Sequence, residues 1–497
     1  MKRLVPLVVA ALVVALLAAW VLISAPRARP DAALDALSPA PAAVVSTGQR
    51  TVAVGAGEAT PFLIGSLSKA FTAIAVMQQV ERGRIVLDRP LGDWRPQALR
   101  AVTPRQLLHH TSGLTRNAGL RLADRTESGP AALTDLVNEV TADDLGNRRG
   151  TYQYSDANYL VLGALVQDVT GVPFGVYIET EVFAPLGMSR STATPRGAAA
   201  SGVGAGHRIV FGAARTYSRP YPETGAPYGY MVSTAGDLAR FGRWMLDPQS
   251  LDGVLGVEHA RQLTADGPAI DGGRRYAMGW RVGPLDGDGP TVIEHTGATP
   301  GFFAHVLLLP ESGDVVVVLA DAYSEARATT FTQVGWNLAR DLAGYPDRPA
   351  ARNWLLLAAP WLLLAAAVAA WTALAMSLAR RRRRHTRFRA LGAVAAIAVA
   401  VAVAVLAGAL PALLGTGWRE VLIWAPDIGW TAIALGAAAV TVVVAVLTAA
   451  VRSVTRRTLA RRAPRGPSSG PPSPDPPATP QAIGGHHEGD TQSGLRA

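Results

Sequence analysis

Residues 65–73 read Gly65-Ser66-Leu67-Ser68-Lys69-Ala70-Phe71-Thr72-Ala73. Positions three apart share a helix face, so Ser66 and Lys69 should meet near the start of a helix. Lysine is scarce in this chain: 45 of the 47 basic residues are Arg, and the two Lys are Lys2 and Lys69. Arg does not lose its proton in a protein, whereas a buried Lys can act as a base. The pair therefore predicts a serine nucleophile beside a lysine base, and Ser68, which lacks this spacing, is the weaker candidate.

Further motifs follow residues 65–73 along the chain. They are Leu107-Leu108-His109-His110-Thr111-Ser112-Gly113-Leu114, Tyr154-Ser155-Asp156, Phe183-Ala184-Pro185-Leu186-Gly187-Met188, Ser233-Thr234-Ala235-Gly236-Asp237-Leu238 and His295-Thr296-Gly297. In this order the set resembles the serine β-lactamase and penicillin-binding-protein superfamily, in particular its branch of class C β-lactamases, DD-peptidases and related esterases. The resemblance covers about residues 45–343. It implies a β-lactamase-like α/β (α+β) fold with a helical subdomain.

Periodicity independently predicts an antiparallel sheet flanked by helices. Helical patterns start at Ser66, at Thr103-Pro104, at Ser155 or Asp156 and at Ser233 or Thr234, between early and late strands. The predicted strands are residues 51–54, 62–64, 276–282, 291–294, 302–309 and 314–320.

The resemblance implies a mechanism. Ser66 would attack a carbonyl and form an acyl-enzyme, while Lys69 and Tyr154 would handle the proton and later activate water or another acceptor. The backbone N–H groups of Ser66 and Ala298 would form the oxyanion hole. The expected substrate is a small peptide, ester or lactam, and no cofactor is expected.

The segment His295-Thr296-Gly297 should line the substrate pocket. Where the family has Lys or His, this chain has His295, which is mostly neutral above a pKa of about 6.5. Carboxylate-bearing lactams should then be held less firmly, which favours peptide or ester substrates. The neighbouring pair His109-His110 does not indicate a metal site, because adjacent side chains on a helix point apart.

Asp156 departs from the family's Tyr-x-Asn motif by placing a carboxylate where an amide is expected. If Asp156 faces the pocket, its charge should hold Lys69 protonated. Alternatively, Asp156 caps the helix that follows. Asn158 is a minor candidate for the amide role.

Four apolar runs are long enough to cross a bilayer, which takes about 20 residues. Basic residues cluster at alternate ends of these runs, so the positive-inside rule places residues 27–352 outside the cytoplasmic membrane and the C-terminal tail inside. Membrane lipid is therefore an expected partner. The first apolar run is longer than the apolar segment of a signal peptide, which usually has about 7–15 residues. This length favours an uncleaved anchor, although a cleaved signal peptide gives the same placement.

The sequence is assigned to eight segments. They are an N-terminal membrane anchor or signal peptide (1–26), a linker (27–45), a serine hydrolase domain (46–345), a transmembrane helix (354–378), a basic cytoplasmic loop (379–390), two further transmembrane helices (391–414 and 428–451) and a disordered cytoplasmic tail (463–497).

Composition excludes several classes of function. The chain has no cysteine, so it has no disulfide, thiolate metal site or cysteine nucleophile. The net charge of +10 would suggest nucleic-acid binding, but residues 27–352 carry 30 Lys/Arg against 32 Asp/Glu, so no nucleic acid is expected as a partner. The apolar runs hold almost no charge, which disfavours a transporter or channel. A membrane-anchored serine hydrolase is the first hypothesis, and a catalytically silent relative that binds cell-wall peptide is the alternative.

Overall fold

The computed structural model describes residues 42–47, 50–94, 96–129, 131–380 and 387–462. The predicted N-terminal anchor, most of the linker, half of the basic loop and the C-terminal tail lie outside these residues. Internal contacts divide the chain into two units, Met1–Val444 and Ala445–Ala497. All contacts discussed below lie within the first unit.

Twelve strands occur among the described residues. In chain order they are β1 (Ala42–Thr47), β2 (Arg50–Gly55), β3 (Pro61–Leu63), β4 (Gly206–Val210), β5 (Ala213–Tyr217), β6 (Val232–Thr234), β7 (Arg275–Tyr276), β8 (Arg281–Pro284), β9 (Thr291–Thr299), β10 (Phe302–Leu309), β11 (Asp314–Ala320) and β12 (Ala322–Tyr323).

A seven-stranded antiparallel sheet forms the centre of the region from β1 to β12, with the strand order β2-β1-β11-β10-β9-β8-β7. Two smaller sheets have the orders β12-β4-β5 and β3-β6. Strand β3 lies directly before residues 65–73 in the chain, and its pairing with β6 aligns Leu63 with Val232.

Fourteen helices occur in the same described residues, besides short 3₁₀ turns. They are α1 (Ser68–Glu81), α2 (Pro104–Leu108), α3 (Arg116–Leu122), α4 (Ala132–Asn138), α5 (Asp156–Thr170), α6 (Phe174–Ile178), α7 (Pro195–Ser201), α8 (Ala235–Leu246), α9 (Val257–Ala265), α10 (Ala328–Leu342), α11 (Trp354–Arg380), α12 (Arg387–Leu413), α13 (Trp418–Trp424) and α14 (Pro426–Arg462).

The central strands β10 and β11 are buried along their whole length because helices cover both faces of the sheet. Alternate residues point to opposite faces. Val315 and Val317 join the core that includes Phe241 of α8, whereas Val316 and Val318 join the core that includes Phe331 of α10. This layering explains why β11 reads as a continuous run of valines. The predicted fold class, an antiparallel sheet flanked by helices, is confirmed.

Three C-terminal helices are long and apolar enough to cross a membrane. The qualifying segments are Trp354–Ala373, Ala393–Leu413 and Pro426–Arg456. They correspond to three of the four predicted spans, and the fourth, at residues 4–24, lies outside the described residues. The short helix α13 lies in the connection between α12 and α14.

Two sequence-based boundaries differ from the structure. β1 begins at Ala42, inside the predicted linker (27–45), because it pairs with both β2 and β11 at the sheet edge. The predicted strand at residues 276–282 is two short strands separated by a turn. Gly279 forms this turn with a φ of +80°, where a methyl group would lie 2.9 Å from the backbone of Ala70. Only glycine combines that conformation with so close an approach.

Candidate active site

Ser66 lies in a 3₁₀ turn, Gly65–Leu67, that leads directly into α1. One helical turn later, the side chain of Lys69 is fully buried. Its Nζ donates hydrogen bonds to Ser66 Oγ at 3.0 Å, to Asp156 Oδ1 at 2.6 Å and to the backbone oxygen of Tyr228 at 2.7 Å. An ammonium group has three N–H donors, and here each donor has an acceptor. The structure therefore brings together the predicted nucleophile and the predicted base.

Two opposing effects act on the pKa of Lys69. Burial favours the neutral amine, but the negative charge of Asp156, its hydrogen bond and the nearby Tyr154 outweigh burial and raise the pKa above its ordinary value. Lys69 is thus an ammonium in the resting protein at neutral pH. Its nitrogen cannot accept the proton of Ser66 until it has released one of its own.

The side chain of Asp156 faces Lys69 instead of capping a helix. Asp156 is the first residue of α5, and the N-cap position belongs to Ser155. The hydroxyl of Ser155 donates to the backbone oxygen of Thr115 at 2.7 Å and makes no capping bond. Of the two interpretations that the sequence left open, the structure agrees with the pocket-facing one.

Because Lys69 must release a proton before it can act as a base, the acylation rate should rise as the pH becomes alkaline. Asp156→Asn should move this alkaline rise to lower pH. The amide keeps an oxygen acceptor for Lys69 but removes the charge that holds the proton, so the pKa of Lys69 should fall. The measurement is the rate constant for fluorophosphonate labelling of Ser66 in the full-length protein between pH 6 and pH 11. Asp168→Asn, an exposed change on the same helix, is the matched control. A profile that superimposes on that of the wild type would contradict this role for Asp156.

Tyr154 precedes α5 and approaches Lys69 from the same side. The Lys69 Nζ lies 5.0 Å from the centroid of the Tyr154 ring. That ring packs against the ring of His110, with a centroid distance of 4.3 Å, and lies 6.5 Å from the ring of His295. Packing on His110 restricts the Tyr154 ring, and this arrangement places a phenol beside the ammonium group.

A hydrogen-bonded chain connects His110 with His295. Nδ1 of His110 faces two donors, the amide of Asn158 at 3.0 Å and the N–H of Ser155 at 3.3 Å, so we assign the proton of His110 to Nε2. Nε2 then donates to the hydroxyl of Tyr276 at 3.2 Å, which in turn donates to Nε2 of His295 at 3.3 Å. His295 carries its own proton on Nδ1 and donates it to the backbone oxygen of Thr296 at 2.6 Å.

Burial and nearby cations keep both histidines neutral. Burial is the main cause that lowers the pKa of His295 well below its usual value, and the charge of Arg281 adds to it. For His110, burial and the charge of Lys69 act in the same direction. His295 therefore supplies no positive charge to the pocket.

Asn158 does not take the amide role for which it was a minor candidate. Its side chain is fully buried, accepts from Ser112 Oγ at 2.6 Å and donates to His110. It therefore orients His110. The sequence-based interpretation of His110 as structural agrees with these contacts, although it missed that His110 packs against Tyr154.

The backbone of the Ser66 turn lies against β9. A methyl group on Gly65 would lie 2.2 Å from the amide nitrogen of Ala298, and one on Gly297 would lie 1.9 Å from the backbone oxygen of Ile64. Such distances are sterically impossible, so both positions require glycine. The contact brings the backbone of Ala298 to the turn that carries Ser66, as the predicted oxyanion hole requires.

Arg281 supplies a cation that sequence reasoning missed. Its guanidinium donates to Thr296 Oγ1 at 3.3 Å, and its side chain is 23% exposed. Arg281 also lies 3.6 Å from Glu294 Oε2. Burial alone would raise the pKa of Glu294, but several neighbouring groups, of which the charge of Arg281 has the largest effect, together outweigh burial and lower it to about 2. The cation next to Thr296 is thus fixed in place by a buried carboxylate.

A metal site is not evident in the part of the chain that the structure describes, where no group of three or more His, Asp or Glu side chains could hold an ion. The chemistry at this site is that of a serine hydroxyl, a lysine, a phenol and backbone N–H groups.

Comparison with known sequences extends these observations. The family model described as Beta-lactamase matches residues 25–334. Penicillin-binding protein 4 of Amycolatopsis lactamdurans is 30% identical over 307 residues, which cover 57% of this chain and 77% of that protein. Protein flp of Staphylococcus aureus is 25% identical over 281 residues. The match covers 55% of each chain, so this chain spans about half the length of that relative.

Solved structures share the fold. The octameric penicillin-binding protein homologue from Pyrococcus abyssi aligns with a TM-score of 0.54 at 21% identity, over 66% of this chain and 77% of that chain. A class C β-lactamase aligns with a TM-score of 0.52 at 19% identity, over 63% of this chain and 96% of that chain. At these identities the similarity is one of fold.

Proposed function

Because this chain belongs to the Beta-lactamase family, we propose that it is a membrane-anchored serine hydrolase that forms an acyl-enzyme at Ser66. One observation carries the proposal: a buried lysine donates a hydrogen bond to a serine hydroxyl at 3.0 Å, at the start of a helix. A serine with such a neighbour becomes an activated nucleophile once the lysine has released a proton.

The reaction proceeds in two steps. The pair formed by Lys69 and Tyr154 first releases one proton to solvent. In the first step, Ser66 Oγ forms a bond to the carbonyl carbon of the substrate and its proton passes to that pair; the bond from the carbonyl carbon to the leaving group then breaks as the pair gives the proton to the departing amine or alcohol. In the second step, water or another acceptor gives a proton to the same pair and attacks the acyl carbon, and the bond to Ser66 Oγ breaks as the pair returns that proton to Ser66. The N–H groups of Ser66 and Ala298 stabilise the oxyanion of each tetrahedral intermediate.

We propose that the substrate is a peptide or ester with a carboxylate near the scissile carbonyl. Arg281 is the cation available to that carboxylate, because its side chain is partly exposed beside Thr296, whereas His295 is neutral and Lys69 is fully buried. Thr296, bonded to Arg281, adds a hydroxyl on the same side of the pocket. Charge-assisted bonds to a carboxylate are the stronger kind of hydrogen bond, so this pair selects substrates that carry one.

Membrane anchoring with the hydrolase domain on the outer face is supported by charge and by contacts. Arg208 of β4 donates to the backbone oxygens of Leu422 and Ile423, at 3.0 Å and 3.2 Å. These contacts support a topology in which the connection between α12 and α14 is on the same side of the membrane as the hydrolase domain. The arginine-rich sequence that precedes α12 would then be on the cytoplasmic side, in keeping with the positive-inside rule.

Arg281→Gln should discriminate between substrates with and without a carboxylate. The test uses the full-length protein and pairs of D-amino-acid peptides and esters that differ only in a free or amidated terminus. We expect KM for the free acids to rise about tenfold or more and KM for the amides to stay constant. Arg274→Gln is the matched control, because Arg274 also pairs with Glu294 but makes no contact with Thr296.

Equal changes for both members of each pair would contradict the assignment of Arg281. If the wild-type protein neither turns over any member of this panel nor is acylated at Ser66, the hydrolase proposal fails and the alternative, a silent binding protein, is correct.

A further inference from the structure

The short helix α13, outside the membrane-spanning helices, contacts the hydrolase domain through both of its ends. At its C-terminal end, Arg208 donates to the last carbonyl groups of the helix, and the ring of Trp424 packs edge-on against Tyr323 with a centroid distance of 6.0 Å. At its N-terminal end, Arg419 reaches the end of α3. The helix is therefore held by specific polar contacts in addition to the apolar packing of Trp424.

Arg419 caps the C-terminus of α3. One of its terminal nitrogens donates to the backbone oxygens of Ala123 at 2.8 Å and Leu120 at 3.1 Å, and the other lies 3.4 Å from that of Asp124. The last carbonyl groups of a helix have no partners within the helix, and a cation there also complements the helix dipole. Glu420 fixes the guanidinium from the other side, at 2.8 Å from Nε.

Helix α13 also contacts the side chain of Asp124. Trp424 Nε1 donates to Asp124 Oδ2 at 2.9 Å, and the Tyr230 hydroxyl donates to the other carboxylate oxygen. Asp124 is buried and has a φ of +56°, in the left-handed region that side chains other than glycine adopt only at a cost. This conformation needs such contacts to hold it.

Asp124 connects α13 with the wall of the active site. Its backbone N–H donates to the Tyr228 hydroxyl at 2.9 Å, so both Tyr228 and Tyr230 are anchored on one residue. The backbone oxygen of Tyr228 is one of the three acceptors of the Lys69 ammonium. In the same segment, the backbone oxygen of Pro227 accepts from Thr72 at 2.7 Å. Residues 227–231 thus form a strap over α1, tied at Asp124.

We propose that Arg419 and Trp424 are positioning residues of the active site, which hold Asp124 and thereby fix the Tyr228 carbonyl that binds Lys69. The inference rests on the proposed function, because it assigns these two residues to the acylation of Ser66. The connection between α12 and α14 then sets the rate of that acylation, and the membrane helices are part of the enzyme rather than only its anchor.

One set of charged and titratable groups surrounds Lys69, and a second set surrounds Asp124. Asp156, Tyr154, Tyr159 and Tyr228 face Lys69, and the buried His110 and His295 lie beyond them. Arg219, Tyr230 and Arg419 face Asp124. Removal of Arg419 leaves every group around Lys69 in the chain and alters only the support of the Tyr228 carbonyl.

The test uses the full-length protein in lipid nanodiscs, with fluorophosphonate labelling of Ser66 measured against pH. Arg419→Ala should slow acylation about tenfold. It should also move the alkaline rise to lower pH, because the ammonium form of Lys69 loses an acceptor. Arg419→Lys, which can still donate to the same carbonyl groups, should recover most of the rate. Trp424→Phe removes one N–H donor but keeps a ring beside Tyr323, and it should give a smaller change in the same direction.

Two matched variants leave these contacts intact: Arg196→Ala, at an exposed arginine of α7, and Trp430→Phe, at a tryptophan of α14 that is 61% exposed. Both should behave as the wild type. A lower amount of labelled protein with an unchanged rate constant and pH profile would mean that Arg419 only stabilises the fold, and it would overturn the inference.

Hydrogen exchange provides a readout that does not depend on activity. Arg419→Ala should increase amide exchange in residues 228–231, whereas the control variants should not. Unchanged exchange there would overturn the inference even if acylation slows. If the wild-type protein is not acylated at all, the proposed function fails, and the exchange result still decides whether α13 holds the strap.

Discussion

Ser66→Ala is expected to abolish covalent labelling and to lower turnover by about 10³-fold or more. The hydroxyl of Ser66 is the acceptor of the Lys69 ammonium at 3.0 Å and the one atom at the site that can form the ester bond of an acyl-enzyme. The measurement is fluorophosphonate labelling followed by peptide mapping, together with turnover of an ester substrate by the same preparation.

Ser68→Ala is the matched control for Ser66→Ala. Ser68 is fully buried, its hydroxyl donates to the backbone oxygen of Gly65 at 2.8 Å and it accepts from the N–H of Met231 at 3.2 Å. Its loss should weaken the turn around the nucleophile without removing the attacking atom. Labelling that persists in Ser66→Ala, or that maps to Ser68, would overturn the mechanism.

Lys69→Arg is expected to slow acylation by about 10²-fold or more, although the charge at this position is kept. In the resting protein Lys69 is already an ammonium, so an arginine paired with Asp156 reproduces the resting charge. What arginine cannot do is release a proton and then accept the proton of Ser66. The measurement is the single-turnover acylation rate of the full-length protein, with its melting temperature as the check on folding.

The outcome of Lys69→Arg separates two roles. A near-normal acylation rate in a protein of unchanged melting temperature would mean that Lys69 acts only through its charge, and Tyr154 would then be the sole base. A large loss with an unchanged melting temperature would assign the proton transfer to Lys69.

The parts of the site that are predictable from the sequence are those whose signal is local. Ser66 and Lys69 lie one helical turn apart, and the near-absence of lysine elsewhere draws attention to the pair. The central strands are predictable because β10 and β11 read as buried runs joined by a short turn. The position of β7 and β8 is less so, since Gly279 breaks a pattern that reads as one strand.

The parts that are not predictable depend on contacts between residues far apart in the chain. Lys69 donates to the backbone oxygen of Tyr228, which lies 159 residues further along the chain. A backbone acceptor cannot be recognised from the pattern of side chains. Arg281 lies within the region misread as a single strand. The orientation of Asp156 is not predictable from the sequence, because a carboxylate at the start of a helix can either cap that helix or pair with a buried ammonium group.

The docking of α13 bears on how the protein can be produced and studied. A soluble fragment that ends near residue 345 would retain Ser66 and Lys69 but would lose Arg419 and Trp424. The last carbonyl groups of α3 and one oxygen of Asp124 would then need water as a partner. Inhibitors selected against such a fragment would be selected against a different set of conformations, so assays on this protein call for the whole chain in a lipid environment.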